Sequence, residues 1–388
     1  MSACPDIVML STADWDNPFW TNKQHVAVEL ARRGHRVLYV DSLGLRRPSA
    51  SAQDLGRIAH RLAHAVRPPR EVRERLWVWS PAAIPLQHRA VVRALNRQSL
   101  AAGLALWAGR LGLRRDVLWT YNPMTTRLFP TRGFRTVVYH CVDEIDAQRG
   151  MPAAEIRAAE RELLAAADCC FVTAEHLFET RRSLCANTHY LPNVADFEHF
   201  ARSRAADTAI PNDLARLPRP RIGFVGAISD RKIDVALLRR LAEEHPEWSI
   251  VLIGKIGEGD PWADVAALRG LANVHLLGPR PYATLPAYLK GFDAALLPSV
   301  LNDYTRGMFP MKFFEYLAAG CPVVSTALPA LRAYAHVASF AATHDEFVAA
   351  LEAALRGAAP ALAVRLAVAR EHTYERRTAR MLELLGAR

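Results

Sequence analysis

Short apolar runs alternate with longer helical patterns through the first half of the chain. The apolar runs predict strands at Ile7–Leu10, Val37–Val40, Leu76–Trp79, Val117–Tyr121, Val137–Cys141 and Cys169–Thr173. Between them, apolar residues recur at helical spacing over Trp20–Arg32, Arg89–Leu111 and Ala153–Ala167. Strands that alternate with helices favour a parallel sheet covered by helices, so this half is expected to be a doubly wound α/β domain.

The pattern lapses between Asp196 and Pro220 and then starts again. That segment has three prolines and no sustained apolar period, which predicts a linker. Beyond it, strands are predicted at Ile222–Val225, Ile250–Ile253, Val274–Leu277, Ala294–Pro298 and Val323–Ser325, and helices at Val235–His245 and Met311–Ala319. A chain of 388 residues is also longer than one hydrophobic core usually serves.

We therefore expect two Rossmann-like domains, over residues 1–205 and 206–371, that face each other across a central cleft. A closing helix over residues 372–388, which begins near His372, is expected to return to the first domain. Ligands of open parallel sheets bind beyond the carboxyl ends of the strands. Functional residues are therefore sought in the loops that follow the strands.

Basic residues are concentrated in one part of the chain. The net charge is +10, and residues 44–115 alone hold fourteen arginines against three acidic residues. Within this region, Gln53–Arg67 has a helical pattern with one apolar face, which is typical of a helix at an anionic membrane surface. A solvated arginine-rich surface explains the charge equally well. Nucleic acid is disfavoured, because the region has no zinc-finger spacing and no aromatic RNA-binding motif.

The cysteines and the N-terminus bear on the compartment. The six cysteines have no metal-ligand spacing and several lie in apolar strand-like runs, so we expect reduced core residues of a cytosolic protein; they are Cys4, Cys141, Cys169, Cys170, Cys185 and Cys321. The N-terminus lacks the basic and apolar pattern of a signal peptide. No apolar run approaches the roughly 18 residues needed to span a bilayer. A cytoplasmic protein is expected, peripheral on the inner face of the cell membrane if the basic region contacts lipid.

The stretch Phe309–Thr326 predicts a short helix followed by a buried strand. Pro310 suits the first turn and Gly320 suits the residue after the last turn. Lys312 then falls in the first turn, where the helix dipole disfavours a cation, and Glu315 shares its face. A nucleoside diphosphate would satisfy both groups, with Lys312 on the diphosphate and Glu315 on the ribose. An ordinary surface pair of lysine and glutamate is the alternative.

A second candidate phosphate site follows the strand Ile222–Val225. Gly226 would let the backbone approach a ligand, and Arg231 and Lys232 precede the next helix. The run is neither a Walker A loop nor a full GxGxxG motif. On its own it is explained at least as well by a solvated turn.

Together these runs resemble glycosyltransferases of the GT-B fold. The run GFVGAISDRK at residues 223–232 resembles the phosphate loop of family-four enzymes, and PMKFFEYLAAGCPVVST at 310–326 resembles their donor-binding helix. Glu315 matches the second glutamate of the E-x7-E motif, whereas Gly307 stands where the first is expected. The resemblance implies an α/β protein with an N-terminal acceptor domain and a C-terminal domain for the nucleotide sugar.

The pair Met311-Lys312 also resembles the xanthan-type glucuronosyltransferase family, in which the lysine meets the donor diphosphate. That comparison implies a carboxylate base in the first domain, and Asp143 follows the predicted strand Val137–Cys141. A carboxylate there could take the proton from an acceptor hydroxyl. We prefer Asp143 to Glu144 and His140, with a helix cap as the alternative role.

Further candidates are assigned by position. On the donor side they are Lys255, Asp303 and Tyr304, which lie in loops after predicted strands. On the acceptor side they are Asp14, Trp15, Lys23, Gln24, Tyr121 and Asn122. Asp14-Trp15-Asp16 is formally a DxD string, but its place after the first strand argues against metal binding, so no metal site is expected.

The sequence therefore predicts a metal-independent transferase without a cofactor. It would move a hexose or uronic acid from a nucleoside diphosphate, UDP favoured over GDP, to a hydroxyl of a lipid-linked bacterial glycan. A soluble small-molecule acceptor, a GT-B-type nucleotide-sugar epimerase and a membrane-recruited scaffold are the alternatives. The base of the nucleotide, the sugar and the stereochemical outcome are left open.

Overall fold

The chain forms two compact units. The computed structural model describes residues 4–43, 68–81, 90–257, 260 and 262–386. One unit comprises Met1–Leu191 with Thr378–Arg388, and the other comprises Pro192–Arg377.

In the described part of the first unit, eight strands form one sheet. Their order is β3-β4-β2-β1-β5-β6-β7-β8, and every pair is parallel except β3 with β4. The strands are β1 (Ile7–Leu10), β2 (Val37–Val40), β3 (Arg70–Arg73), β4 (Leu76–Trp79), β5 (Val117–Thr120), β6 (Thr136–Cys141), β7 (Cys169–Val172) and β8 (Thr188–Tyr190). The helices are α1 (Asn22–Arg32), α2 (Ala90–Arg110), α3 (Thr125–Leu128), α4 (Ala153–Ala166) and α5 (Glu175–Arg181).

In the described part of the second unit, six strands form a wholly parallel sheet with the order β11-β10-β9-β12-β13-β14. They are β9 (Arg221–Val225), β10 (Ser249–Ile253), β11 (Val274–Gly278), β12 (Ala294–Leu297), β13 (Val323–Thr326) and β14 (Ser339–Ala341). The helices are α6 (Phe197–Ala201), α7 (Asn212–Ala215), α8 (Val235–Glu244), α9 (Leu285–Lys290), α10 (Asp303–Arg306), α11 (Lys312–Ala319), α12 (His344–Ala353) and α13 (Leu362–Glu371).

Strand order reverses once in each sheet. The first strand of each series lies at the centre, between β2 and β5 in the first unit and between β10 and β12 in the second. Loops on either side of such a reversal leave a crevice at the carboxyl ends of the strands, where ligands of doubly wound sheets bind. The loops after β1, β5, β9 and β12 are therefore the places where each unit is built to hold a ligand.

The predicted linker over 196–220 is wrong, and the units divide at 191/192 rather than at 205/206. Phe200 and Leu214 are fully buried in the core of the second unit. Ser203 Oγ also donates to the Ala319 carbonyl at 2.8 Å. The helices α6 and α7 are five and four residues long, which is too short for an apolar period to show in the sequence.

The last helix, α14 (Tyr374–Gly386), crosses the division between the units at Thr378. It begins two residues after the predicted start at His372. Among the described helices, none is by itself long and apolar enough to span a membrane. The pair His344–Ala358 and Leu362–Glu371 passes that test only when joined across a bend of 110°.

Candidate active site

The start of α11 carries the ion pair that the sequence predicted. Lys312 Nζ lies 2.8 Å from Glu315 Oε2, with 23% of the lysine side chain and 3% of the glutamate side chain exposed. Gly320 ends the helix in the left-handed conformation at φ +87°. Because Glu315 is buried, the pair is not an ordinary surface pair, and the cation is positioned where an incoming anion can reach it.

His199 and Tyr282 flank this pair, and sequence reasoning missed both. Their rings stack with centroids 4.2 Å apart. Burial lowers the pKa of His199, and the charges of Arg202 and Lys312 lower it further. Burial and then the Glu315 charge raise the pKa of Tyr282. His199 lies in the segment taken for a linker, so its only signal is the proximity that the fold creates.

A tyrosine anchors α11 to the carboxyl end of β9. The Val225 N–H donates to Tyr316 Oη at 2.8 Å, and the tyrosine hydroxyl lies 3.3 Å from the Val225 carbonyl. Tyr316 is fully buried. Since Gly226 follows Val225 directly, this contact places the Gly226 turn beside the first turns of α11.

Gly226 makes its close approach to another glycine. The Gly226 N–H donates to the Ile253 carbonyl at 2.9 Å, and Gly254 follows. A Cβ on Gly254 would lie 1.8 Å from the Gly226 carbonyl oxygen, whereas a Cβ on Gly226 would meet only the Phe224 ring, at 2.8 Å. The ends of β9 and β10 are therefore packed backbone to backbone, which requires the glycine at Gly254.

The loop holding Arg231 and Lys232 is bonded to the loop before α10. Asn302 Nδ2 donates to the Arg231 carbonyl at 2.8 Å, and Lys232 Nζ lies 5.8 Å from the Tyr304 ring centroid. The following helix, α8, is capped by Asp234, which accepts from the Leu237 N–H at 2.9 Å. This carboxylate places an anion at the start of α8. Arg231 and Lys232 are therefore not sufficient evidence for a bound phosphate at this helix.

The remaining donor-side candidates have varied settings. Met311 is the N-cap residue of α11. Lys255 is exposed after β10, and its carbonyl accepts from the Ile228 N–H at 3.1 Å. The Asp303 side chain is 89% exposed and pairs with Arg306 at 3.2 Å. The structure thus places Gly226 beside α11, joins the Arg231–Lys232 loop to Asn302 and Tyr304, and gives Asp303 a partner within its own helix.

In the first unit, Lys23, Tyr121 and Asp143 form one group. Lys23 Nζ lies 5.7 Å from the Tyr121 ring centroid, and that ring stacks on His140 at 4.7 Å. Burial lowers the pKa of Lys23, and the nearby Asp143 carboxylate opposes this shift. These residues come from α1 and from the ends of β5 and β6, which lie beside the reversal point of the sheet.

Asp143 differs from the two residues considered beside it. Glu144 is held by Arg181, at 2.6 and 3.0 Å. His140 is fully buried among aromatic rings. Asp143 is only partly buried and interacts with Lys23. Asp143 as the base stays a prediction.

Three of the acceptor-side candidates have roles within the loops. Trp15 is buried against Trp20 and Tyr39. Gln24 is fully buried, accepts from the Thr21 N–H at 3.1 Å and donates to the Asp14 carbonyl at 3.1 Å. Asn122 is buried and accepts from the Met124 N–H at 2.8 Å.

The Asp14–Asp16 string does not converge on a metal site. Asp14 Oδ1 accepts from the Ser42 N–H at 3.2 Å, and Asp16 pairs with Arg70 at 2.5 Å. Across the described residues, no group of three or more His, Cys, Asp or Glu side chains is arranged to hold a metal ion.

Asp41, which sequence reasoning missed, lies under the same loop. It accepts from the Trp15 N–H at 2.7 Å and from the Ser80 hydroxyl. Burial raises the pKa of Asp41 to about 6, and the charges of Asp14 and Asp16 add to this effect. Only its position directly after β2 could have drawn attention to it.

Part of the second unit matches a known protein family. Residues 219–357 match the family of glycosyl transferases group 1. Over 308 residues the chain is 27% identical to the putative teichuronic acid biosynthesis glycosyltransferase TuaH of Bacillus subtilis, which covers 70% of this chain and 76% of that protein.

Solved structures share the fold over nearly the whole chain. Sucrose-phosphate synthase from Thermosynechococcus elongatus matches with a TM-score of 0.70 and 16% identity, over 99% of this chain and 98% of that one. HepE of Anabaena in complex with UDP-glucose matches with a TM-score of 0.65 and 14% identity, over 97% and 99%. The resemblance drawn from residues 223–232 and 310–326 is confirmed. Residues 219–357 therefore form a domain that matches the glycosyl transferases group 1, and the chain has the GT-B fold.

Proposed function

We propose that the protein transfers a hexose or uronic acid from a UDP-sugar to a hydroxyl of a lipid-linked bacterial glycan. Binding of a UDP-sugar is supported by the Lys312–Glu315 pair at the start of α11, in which the glutamate is buried and which lies inside the group 1 domain. HepE, a structural neighbour, binds UDP and UDP-glucose. The name of TuaH places that relative in teichuronic acid biosynthesis, which supports a glycan acceptor.

Each charged group of the site has a role in this proposal. Lys312, with Arg231 and Lys232, stabilises the negative charge that develops on the leaving diphosphate, without a metal ion. Glu315 accepts from a ribose hydroxyl. Asp143 takes the proton of the acceptor hydroxyl as that oxygen attacks the anomeric carbon. Lys23 lies beside Asp143, whose charge opposes the lowering of the Lys23 pKa by burial.

The proposed role of Asp143 as the base is tested by the rate of UDP release in the presence of acceptor. Asp143→Asn should lower kcat by roughly 10²–10⁴-fold, the usual contribution of a general base, and should leave the affinity for UDP unchanged. If this variant kept the full kcat, Asp143 would not be the base, and the proposed donor site would not be contradicted.

We propose also that the first unit binds the inner face of the cell membrane through its basic region. The part over residues 44–67, which holds the predicted helix Gln53–Arg67, lies outside the described residues, as do residues 82–89. In α2, Val91, Leu95 and Leu106 are large apolar side chains that are 72, 51 and 47% exposed. Arg97 and Arg110 are exposed on the same helix, a combination suited to anionic lipid.

Sedimentation with lipid vesicles tests this surface. The wild-type protein should sediment with anionic vesicles and much less with zwitterionic ones, and added salt should weaken the binding. The triple change Val91→Ser, Leu95→Ser and Leu106→Ser should reduce the bound fraction. Leu184→Ser is the matched control, since Leu184 is 43% exposed in the same unit outside this region. Equal binding to both vesicle types would contradict the proposal.

A further inference from the structure

A network of buried and partly buried charges includes Glu144, the residue that follows Asp143. Arg181, the last residue of α5, donates to both carboxylate oxygens of Glu144, at 2.6 and 3.0 Å. It also donates to Glu160 at 3.0 Å. Glu160 accepts in turn from the Tyr139 hydroxyl at 2.7 Å. These groups connect β6, α4 and α5 through one network of charge-assisted hydrogen bonds.

The same βα unit fixes the backbone on the other side of Asp143. Thr173, which follows β7 and is fully buried, donates its hydroxyl to the Val142 carbonyl at 2.9 Å. The Asp143 carbonyl accepts from the Ile145 N–H at 3.0 Å. Asp143 therefore lies between two residues that are both held by the segment from β7 to the end of α5.

The network also gives the adjacent carboxylates Glu144 and Asp143 different partners. Glu144 is committed to Arg181, with only 16% of its side chain exposed. Burial by itself would lower the pKa of Arg181, but Cys141 and the carboxylates of Glu160 and Glu144 outweigh this and raise it. The neighbouring Asp143 is left to interact with Lys23. Without the Arg181 fork, a second carboxylate would be free to turn toward the same cation.

We propose that Arg181 is a positioning residue for the transfer reaction, because its bidentate clamp on Glu144 fixes the turn that presents Asp143 to the acceptor. This inference rests on the proposed role of Asp143. Arg181 acts on Asp143 through Glu144, the adjacent residue. Its loss should therefore slow the chemical step and leave donor binding unchanged. A misplacement of about 1 Å in a reacting group can cost on the order of 10²-fold in rate.

The test compares two arginine-to-lysine changes. Arg181→Lys keeps the charge but cannot form the fork, and should lower kcat about tenfold to a hundredfold with the KM for donor unchanged. Arg127→Lys is the matched control, since Arg127 makes a bidentate pair with Glu162 at 3.0 and 2.5 Å on the surface of the same unit. That control should keep the wild-type kcat. A wild-type kcat in Arg181→Lys would overturn the proposal, and so would an equal change in kcat and KM.

A second variant covers the case in which the lysine protein does not fold. Arg181→Met combined with Glu160→Gln removes one cation and one anion together, so that of these three groups only Glu144, the most exposed at 16%, keeps its charge. The same loss of kcat at constant KM is expected. Asp143→Asn distinguishes the role of Asp143 from the role of Arg181. If Asp143→Asn keeps full activity, Asp143 is not the base. If Asp143→Asn is inactive and the Arg181 variant is fully active, only the positioning role of Arg181 is wrong.

Discussion

Glu315 and Asp41 are both buried carboxylates, but the protein stabilises them in different ways. Glu315 has the Lys312 ammonium at 2.8 Å. Asp41 accepts hydrogen bonds from Trp15 and Ser80 while Asp14 and Asp16 raise the local negative potential. Burial, and then the nearby charges of Asp14 and Asp16, favour the protonated form of Asp41. Asp41 is thus expected to destabilise the first unit at neutral pH.

The variant Asp41→Asn should reveal how much the ionised Asp41 carboxylate destabilises the first unit. The pKa of Asp41 is about 6 in the folded protein, against an ordinary value of 3.8. Because the folded value is raised, its stability contribution is complete below about pH 4 and is lost as the pH rises through about 6. An uncharged amide at this position would avoid that loss, so the variant should be more stable than the wild type by about 3 kcal/mol at pH 8.

Urea unfolding of both proteins at pH 8 and pH 4 measures the difference directly. The gain from the substitution should be largest at pH 8 and nearly absent at pH 4. An equal gain at the two pH values would show that the effect does not come from ionisation of Asp41.

The elements of the second unit meet where β9 and β10 end. Tyr316 ties α11 to Val225, and Gly254 lets the end of β10 touch the Gly226 carbonyl. The geometry of the proposed donor site therefore depends on a contact that leaves no room for a side chain.

Gly254→Ala should disrupt that contact. Its Cβ would lie 1.8 Å from a backbone oxygen, which cannot be relieved by a side-chain movement. We expect a strongly destabilised second unit, measured by thermal unfolding, and lost UDP binding. Gly270→Ala is the control: Gly270 also has a positive φ, +84°, but a Cβ there would meet nothing within 4 Å. It should cost only about 1–2 kcal/mol. Equal effects of the two changes would contradict the close-contact explanation.

Buried strands were predictable because their apolar runs are continuous. β1, β2 and β4 have the bounds that the sequence predicted, and α11 was recognisable between Pro310 and Gly320. The edge strand β3 was not, since its sequence is Arg-Glu-Val-Arg and its pattern is not apolar. The Lys312–Glu315 pair was found from spacing within one helix. His199 and Tyr282 were missed because only the tertiary fold brings them to that pair.

At the scale of the whole molecule, the chain passes between the two units twice, at 191/192 and at 377/378. The second-unit residues near these two points are hydrogen-bonded to each other. The Ala195 N–H donates to the His372 carbonyl at 3.1 Å, and Arg377 Nη1 donates to the Pro192 carbonyl at 3.1 Å. His372 also stacks on Phe314 of α11 at 4.2 Å. The segment around His372 is thus packed against the helix that carries Lys312. Binding at the proposed donor site on α11 should therefore perturb this segment.

The central claim is that α11 binds a uridine diphosphate group through Lys312 and Glu315. Removing Lys312 alone would leave a buried charge unpaired at a cost of about 3–5 kcal/mol, so the double change Lys312→Met with Glu315→Gln is the better probe. Arg380→Ala, in an exposed i,i+3 pair with Glu383 on α14, is the control.

Thermal unfolding with and without UDP is the most direct measurement. UDP at a hundredfold excess over its Kd should stabilise the wild type and the Arg380→Ala control by about 2.7 kcal/mol. The double variant should unfold near the wild-type temperature without ligand and should not respond to UDP. An undiminished UDP response in that variant, or a wild type that responds to GDP and not to UDP, would contradict the account.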